Sequence, residues 1–220
     1  MRQEQLAGLR CRITGGIDGH GGGRGPLVVL MHGFGAPGDD LVPLAEHLDA
    51  PAGTRFVFPE APLALPQYGN GRAWWMIDLE GMEQDRRAGK PRDLSRSVPV
   101  GLTDVRTKMS SVLSELEHRL QADPKQVVLG GFSQGAMLAC DLALRTNRPL
   151  AGLVLLSGTL VARDEWLPLM PARRGLKVLQ SHGTQDPILP HFLAEQLKDH
   201  LVKAGLVVDW TSFRGGHEIP

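Results

Sequence analysis

The chain has 220 residues, with 24 basic and 24 acidic side chains and therefore no formal net charge at pH 7. That length suits one domain, residues 1–220, and the even charge balance lacks the basic stripe of a nucleic-acid-binding protein, so we expect no nucleic-acid partner. The two cysteines, Cys11 and Cys140, are far apart in the sequence, and we predict neither a disulfide framework nor a metal cluster.

The first half of the chain alternates between predicted strands and a predicted helix. Residues 9–14 and 27–31 are predicted strands on either side of a glycine-rich hairpin loop at 15–25. Apolar residues at helical spacing predict a helix over 38–48, and residues 54–58 again have the composition of a strand. This order is that of a βαβ unit.

The second half continues the alternation. Apolar residues at steps of three and four predict the clearest amphipathic helix over 102–120. Further strands are predicted at 127–129, 150–156, 176–179 and 206–213, and further helices at 134–144 and 190–204. Nearly continuous apolar strands that alternate with helices indicate an α/β fold, with a mostly parallel sheet covered on both faces.

Two segments, 59–98 and 158–175, are too long for ordinary connections. The first contains Trp74 and Trp75, and the second contains Leu160. Long loops in compact domains are usually functional or disordered, so these segments are candidates for a binding role.

The pentapeptide GFSQG at 131–135 stands between a predicted strand and a predicted helix. A serine between two glycines at such a turn is typical of a nucleophile elbow. Glycine suits the flanks because the turn brings the chain close to itself. We predict that Ser133 is the nucleophile and that its backbone has a positive φ, at a cost of roughly 1–2 kcal/mol.

A serine nucleophile needs a base and a third group that orients the base. Asp186 follows the predicted strand 176–179, and His217 follows the predicted strand 206–213 in a glycine-containing loop. Because the carboxyl ends of parallel strands share one edge of the sheet, we predict a triad of Ser133, Asp186 and His217. Their chain order is the one expected for this architecture.

Other residues compete for these roles less well. Asp164 and Glu165 are weaker alternatives to Asp186. His182 ends a predicted strand and is expected to make a structural hydrogen bond, and His32 is expected to brace its loop. The remaining five histidines are expected at the solvent-exposed surface.

The tetrahedral intermediate also needs hydrogen-bond donors for its negative charge. The loop 32–35 directly follows a predicted strand, so its backbone amides can face Ser133. We predict that the N–H groups of Phe34 and Gln134 form this oxyanion hole. Gln134 gains from its place in the first turn of a helix.

Residues 33–38 also form a GxGxxG pattern after a strand, with Glu60 at a spacing suited to a ribose contact. Pro37 removes a backbone donor from the stretch that would face pyrophosphate, and a dinucleotide site leaves the serine, aspartate and histidine unexplained. A dinucleotide-binding protein is therefore a remote alternative. A second remote alternative is a protein of the same fold that binds a hydrophobic ligand without turning it over.

Seven segments together resemble the phospholipase/carboxylesterase family, which includes the acyl-protein thioesterases. They are LMHGFG at 30–35, PEAP at 59–62, RAWW at 72–75, GGFSQG at 130–135, LSGTL at 156–160, HGTQDP at 182–187 and GGH at 215–217. The resemblance implies an α/β-hydrolase fold without a large cap domain and the same Ser133, Asp186 and His217 triad. It also implies hydrolysis of carboxylic esters, acyl thioesters or lysophospholipids.

The resemblance further implies an acyl pocket near four side chains, Leu63, Trp74, Trp75 and Leu160. Residues 75–96 differ from the eukaryotic thioesterases, and a bacterial-type carboxylesterase is the nearer match. We expect a serine esterase that needs no metal or cofactor and cleaves small-molecule esters of short to medium acyl chains. The alternatives are an acyl-protein thioesterase and a lysophospholipase.

Three expectations concern the chain as a whole. No stretch approaches the ~18 apolar residues of a membrane span and the N-terminus lacks an apolar signal core, so we expect a cytoplasmic protein without stable membrane insertion. A homodimer is one option for its assembly. Family members usually continue past the catalytic histidine into a further helix, so we expect that the sequence is truncated after Pro220.

Overall fold

The computed structural model describes residues 1–90 and 92–220, apart from the side chain of residue 86. Eleven strands are found in this part of the chain: β1 (Arg2–Leu6), β2 (Leu9–Gly16), β3 (His20–Gly22), β4 (Leu27–Met31), β5 (Arg55–Pro59), β6 (Leu63–Ala64), β7 (Arg72–Ala73), β8 (Val127–Phe132), β9 (Gly152–Leu156), β10 (Lys177–Gly183) and β11 (Val207–Phe213). The helices are α1 (Leu44–His47), α2 (Leu79–Arg87), α3 (Leu102–Arg119), α4 (Gln134–Arg145), α5 (Arg163–Trp166) and α6 (His191–Lys203).

Nine of these strands form one sheet in the order β1-β2-β5-β4-β8-β9-β10-β11, with β3 beside β2. The strands β1, β2 and β5 pair antiparallel at one edge. From β5 to β11 all neighbours run parallel, which confirms the predicted mostly parallel sheet. Strand β1 was not predicted because its sequence is polar and only Leu6 is buried.

The predicted helix over 38–48 is wrong in extent, because the structure has only the four residues of α1 there. The backbone hydrogen bonds before α1 join residues that are three apart in the sequence; for example, the Val42 N–H donates to the Asp39 carbonyl. Pro43 has no N–H to donate, so the turns do not join into a longer α-helix. Apolar spacing alone does not reveal this.

The two faces of the sheet carry separate apolar clusters because side chains alternate along a strand. Val29 of β4 belongs to the main cluster with α3 and α4, and the adjacent Leu30 belongs to a smaller one with Leu41, ahead of α1. Helix α4 packs against β8 and β9 and is buried from Gln134 to Leu144. Helices therefore cover the sheet as predicted.

None of the helices in the described residues is long and apolar enough to cross a bilayer. The long segment 59–98 contains the two-stranded sheet of β6 and β7 and helix α2, and the segment 158–175 contains α5. The strands β8, β10 and β11 end directly before Ser133, Thr184 and Arg214. Their carboxyl ends meet at one edge of the sheet, where the candidate site lies.

Candidate active site

Ser133 occupies the sharp turn between β8 and α4 with a φ of 53° and a ψ of −116°, as predicted. Its N–H donates to the Leu156 carbonyl of the neighbouring strand at 2.8 Å. A Cβ at Gly131 would lie 2.5 Å from the Met31 carbonyl oxygen, and one at Gly135 would overlap the same atom. Both flanking positions therefore need glycine, and the serine side chain stands at the apex of the turn.

The structure brings Ser133, His217 and Asp186 together. The Nε2 atom of His217 lies 2.8 Å from the Ser133 Oγ, and its Nδ1 atom lies 2.7 Å from the Asp186 Oδ2. Because a carboxylate only accepts, Nδ1 carries the hydrogen and Nε2 is free to accept the serine proton. Glu165, the alternative to Asp186, pairs with Arg145 instead.

The loops that carry Asp186 and His217 are held against each other by their backbones. The Thr184 N–H donates to the Phe213 carbonyl at 2.9 Å, and the Gln185 N–H donates to the Gly215 carbonyl at 2.9 Å. The Phe132 ring packs beside the imidazole of His217, with 4.9 Å between ring centroids. The relative position of base and carboxylate is therefore set by main-chain bonds between adjacent loops.

Asp186 is a buried carboxylate with donors on both oxygens. Its Oδ1 accepts the N–H groups of Ile188 and Leu189 at 2.8 and 2.9 Å. Burial alone would raise the pKa of Asp186, but hydrogen bonds from His182 and His217 and the backbone donors outweigh it and hold that pKa well below its usual range. The group is thus ionised at neutral pH.

The predicted oxyanion donors, Phe34 and Gln134, both line the cavity beside Ser133. Within the described part of the chain, neither N–H has a hydrogen-bond acceptor. Gln134 is the first residue of α4, whose leading N–H groups lack intrahelical partners. Two backbone N–H groups that have no acceptor among the described residues therefore belong to residues that line the cavity beside Ser133.

The loop that carries Phe34 is braced by His32, as expected. The imidazole donates from Nδ1 to the Gly33 carbonyl at 2.8 Å, and its Nε2 accepts the Ala61 N–H at 3.1 Å. Burial lowers the pKa of His32, which keeps the ring neutral and so able to accept at Nε2. A Cβ at Gly33 would lie 3.4 Å from the Ser133 Cβ, so the loop approaches the serine closely.

A mostly apolar cavity of about 260 Å³ opens beside Ser133. Its walls include Trp75 and Met82 from the segment 59–98, Met137 from α4, and Ile188 and Leu189 from the loop after β10. Because these side chains offer apolar area next to a hydroxyl and two free amides, the arrangement suits an acyl group whose carbonyl carbon rests at Ser133.

Of the four predicted pocket residues, only Trp75 lines this cavity. Trp74 points into the core and donates its indole N–H to the His32 carbonyl at 2.8 Å. Leu160 is also in the core, and Leu63 is exposed on β6. Both tryptophans follow β7 in a bend, where Trp74 turns towards the His32 carbonyl because its buried indole N–H needs an acceptor, so the two rings do not share the cavity.

The Gln134 side chain has a structural role that was not predicted. Its Oε1 accepts the Trp74 N–H at 2.8 Å, and its Nε2 donates to the Trp75 carbonyl at 2.8 Å. The elbow thus holds the cavity wall in place through a buried amide. A polar residue at the start of a largely apolar helix indicates that its side chain has a partner, but it does not show which residue that partner is.

The dinucleotide alternative does not fit the structure. Glu60, the candidate ribose ligand, forms an ion pair with Arg12 at 3.0 Å and lies 3.6 Å from Arg72. Turns rather than a helix follow the residues 33–38, so this stretch does not lead into a helix of its own as a dinucleotide-binding loop does. In the described residues no group of three or more His, Cys, Asp or Glu side chains is placed to hold a metal ion.

Comparison with known proteins agrees with this architecture. A model of the phospholipase/carboxylesterase family matches residues 21–220. Acyl-protein thioesterase 1 of Kluyveromyces lactis is 28% identical over 201 residues, which cover 86% of this chain and 82% of that protein. The crystal structure of esterase PE8 is 29% identical, with a TM-score of 0.81, and the match covers 96% of this chain and 92% of that one.

The Bacillus cereus carboxylesterase, at 23% identity, has the same fold with a TM-score of 0.71 over 96% of this chain and 88% of its own. In residues 1–90 and 92–220 no large cap domain is found. The predicted fold and resemblance are confirmed. The chain belongs to the phospholipase/carboxylesterase family of α/β-hydrolases.

Proposed function

We propose that this protein is a serine carboxylesterase that works through a covalent acyl-enzyme. The observation that carries the proposal is the continuous hydrogen-bond chain from the Ser133 Oγ through His217 to Asp186. A serine hydroxyl becomes an effective nucleophile when a positioned base removes its proton, and the base works best when a carboxylate fixes its tautomer.

In the proposed reaction His217 takes the proton of Ser133 as the Oγ attacks the ester carbonyl carbon. The N–H groups of Phe34 and Gln134 bind the oxyanion, and Asp186 stabilises the imidazolium. The imidazolium then protonates the leaving alkoxide as the ester bond breaks, which leaves the acyl group on Ser133. Water, activated by His217 in the same way, attacks the acyl-enzyme and releases the acid.

The proposal is tested with Ser133→Ala and p-nitrophenyl butyrate. We expect kcat to fall by at least about 10³-fold, because the remaining donors and binding contacts alone provide little catalysis. Ser97→Ala is a matched control, since Ser97 lines the same cavity but does not contact His217. If Ser133→Ala keeps substantial activity while Ser97→Ala loses it, the proposed nucleophile is wrong.

A fluorophosphonate probe separates the esterase from a protein that only binds a hydrophobic ligand. Only an activated serine reacts with the probe, so we expect labelling of the wild type and of Ser97→Ala. Labelling should disappear in Ser133→Ala and in His217→Ala, which keeps the serine but lacks its base. An unlabelled wild type would favour the binding protein.

The apolar cavity supports a preference for short to medium acyl chains over acetate. Each methylene buried there contributes about 0.8 kcal/mol, or roughly a fourfold gain in kcat/KM while the chain still fits. A series of p-nitrophenyl esters from acetate to octanoate measures this, and a flat series contradicts it.

A second candidate is hydrolysis of acyl thioesters, which is supported by the relative named acyl-protein thioesterase 1. Lysophospholipids are a third substrate class, since one triad serves all three. Comparing kcat/KM for an ester, a thioester and a lysophospholipid with the same acyl chain ranks these candidates directly.

Two wider predictions also belong to the proposal. A cytoplasmic location is tested by cell fractionation, and a homodimer is tested by light scattering coupled to size-exclusion chromatography. A mass near the 23.9 kDa of one chain would contradict the dimer.

A further inference from the structure

A second histidine, His182, contacts the carboxylate that orients His217. His182 lies near the end of β10 and is completely buried. Its Nε2 is 2.7 Å from the Leu189 carbonyl oxygen and 3.1 Å from the Asp186 Oδ2. His182 therefore makes the expected structural hydrogen bond, to Leu189, and also contacts Asp186.

The two groups beside Nε2 identify which nitrogen of His182 carries the hydrogen. Both the Leu189 carbonyl and the Asp186 carboxylate accept hydrogen bonds, so Nε2 carries the hydrogen and donates to both. Among the described residues, the Nδ1 atom is buried without a partner. The contacts of the ring are therefore made through Nε2.

As a result, two imidazoles share one oxygen of Asp186. The Oδ2 accepts from His217 at 2.7 Å and from His182 at 3.1 Å, while the Oδ1 is occupied by the backbone donors of Ile188 and Leu189. Both oxygens of the carboxylate thus accept two hydrogen bonds each. Its plane has little freedom to rotate away from His217.

The contact also closes a ring of hydrogen bonds. His182 donates to the Leu189 carbonyl, and the Leu189 N–H donates to Asp186, which in turn accepts from His182. Leu189 and Ile188 line the acyl cavity. One buried histidine therefore joins the carboxylate of the triad to the cavity wall.

We propose that His182 is a positioning residue that adds to the hold of the Oδ1 donors on Asp186 and takes up part of the negative charge that Asp186 would otherwise direct at His217. The inference rests on the proposed function, because it concerns the same site. It assigns His182 no contact with the substrate. Its effect passes through Asp186.

Removing the His182 donor should make His217 more basic. The Oδ1 contacts keep Asp186 in place, so the full charge on Oδ2 then faces His217 and favours its imidazolium. Because the base must be unprotonated, the acidic limb of the kcat/KM pH profile should move to higher pH, by about half a unit.

The contribution of other titratable groups near the triad to the pH profile must be distinguished from that of His182. His191 on α6 lies beside His182, with 6.0 Å between ring centroids, and bonds to Ser212 at 2.8 Å. Glu218 follows His217 and accepts the Gly216 N–H at 3.1 Å. His191→Gln serves as a matched control, because it removes a neighbouring imidazole without touching Asp186.

The experiment compares pH profiles of kcat/KM for p-nitrophenyl butyrate in the wild type and in variants of His182 and His191. His182→Met lacks the donor and should show the shifted limb. His182→Gln has an amide whose two hydrogens can serve both acceptors, so its limb should stay within about 0.2 units of the wild type. The His191→Gln limb should also stay with the wild type.

His182→Asn keeps the test decisive if His182→Met does not fold. Its shorter side chain is polar but does not reach the Asp186 Oδ2, so it should show the same upward shift as His182→Met. An unmoved limb in whichever of His182→Met and His182→Asn folds overturns the inference, and so does an equal shift in His191→Gln.

Failure of the inference can be told apart from failure of the proposed function. If the wild type does not react with the fluorophosphonate probe, the proposed function fails, and the role assigned to His182 fails with it. If the wild type reacts and the donor-free variants keep the wild-type limb, only the role of His182 is refuted.

Discussion

Ser157, like Ser133, is a serine with a positive φ. Replacing it tests two separate effects: the strain of its backbone, and the hydrogen bond that holds the loop of His217. Ser157 follows β9 with a φ of 47° and is completely buried. Its Oγ–H donates to the Glu218 carbonyl at 2.9 Å, one residue after the proposed base. This bond ties the loop of His217 to the sheet.

Two substitutions of Ser157 have different expected effects on stability. Ser157→Ala keeps the strained φ and loses the hydrogen bond, which costs about 1 kcal/mol. Ser157→Gly loses the same bond but relieves about 1–2 kcal/mol of left-handed strain, offset by about 0.5–1 kcal/mol of added chain entropy. We expect the Tm to fall by about 2–4 °C in Ser157→Ala and to stay nearly unchanged in Ser157→Gly.

The effect on activity should be the same in both variants, because both release the Glu218 carbonyl. If the looser loop costs about 1.4 kcal/mol of transition-state stabilisation, kcat/KM for p-nitrophenyl butyrate falls roughly tenfold. Thermal unfolding followed by circular dichroism and steady-state kinetics measure the two effects. Ser111→Ala, at an exposed position on α3, is the control.

We therefore expect Ser157→Gly to lose activity without losing stability, and Ser157→Ala to lose both. Full activity in Ser157→Gly would show that the bond to Glu218 does not hold His217. Equal Tm values for the alanine and glycine variants would show that the left-handed backbone stores no strain.

Asp186→Asn should lower kcat by roughly 10³–10⁴-fold, because the tautomer of His217 is no longer imposed. The fold lowers the pKa of Asp186, so its ionised form stabilises the protein above about pH 3.9, the pKa of an aspartate in the unfolded chain. That stabilisation is lost as the pH falls through the lower pKa of the folded state. Calorimetry should therefore find a larger Tm difference between the wild type and Asp186→Asn at pH 7 than at pH 3, and a constant difference would contradict this. Gln134→Met leaves the Trp74 N–H and the Trp75 carbonyl unpaired at a cost of about 1–3 kcal/mol each, so both the Tm and the preference for longer esters should fall. An unchanged chain-length series in that variant would show that the Gln134 amide does not hold the cavity wall.

Much of the fold and the candidate triad could be predicted because they depend on local pattern. Strand and helix periods locate most elements, and the need for glycine beside Ser133 follows from the close approach of the chain. Asp186 and His217 could be located because each follows a strand of a parallel sheet, and the ends of such strands meet. These inferences need periodicity and topology but no side-chain packing.

The contacts that the prediction missed are those between side chains far apart in the sequence. Nothing near Gln134 indicates that its amide meets Trp74 and Trp75, and nothing near Trp74 indicates that it faces the core. The bond from Ser157 to Glu218 spans 61 residues. Such contacts depend on how loops return over the sheet.

The sequence by itself determined the alternation of strands and helices, the elbow at Ser133, the edge of the sheet where the site lies, and the family. Only the tertiary structure decided which tryptophan lines the cavity, that His182 shares Asp186 with His217, and that no long helix precedes β5. The physical reason is that periodicity and steric need are written in neighbouring residues, whereas side-chain partners depend on register and on packing between distant segments.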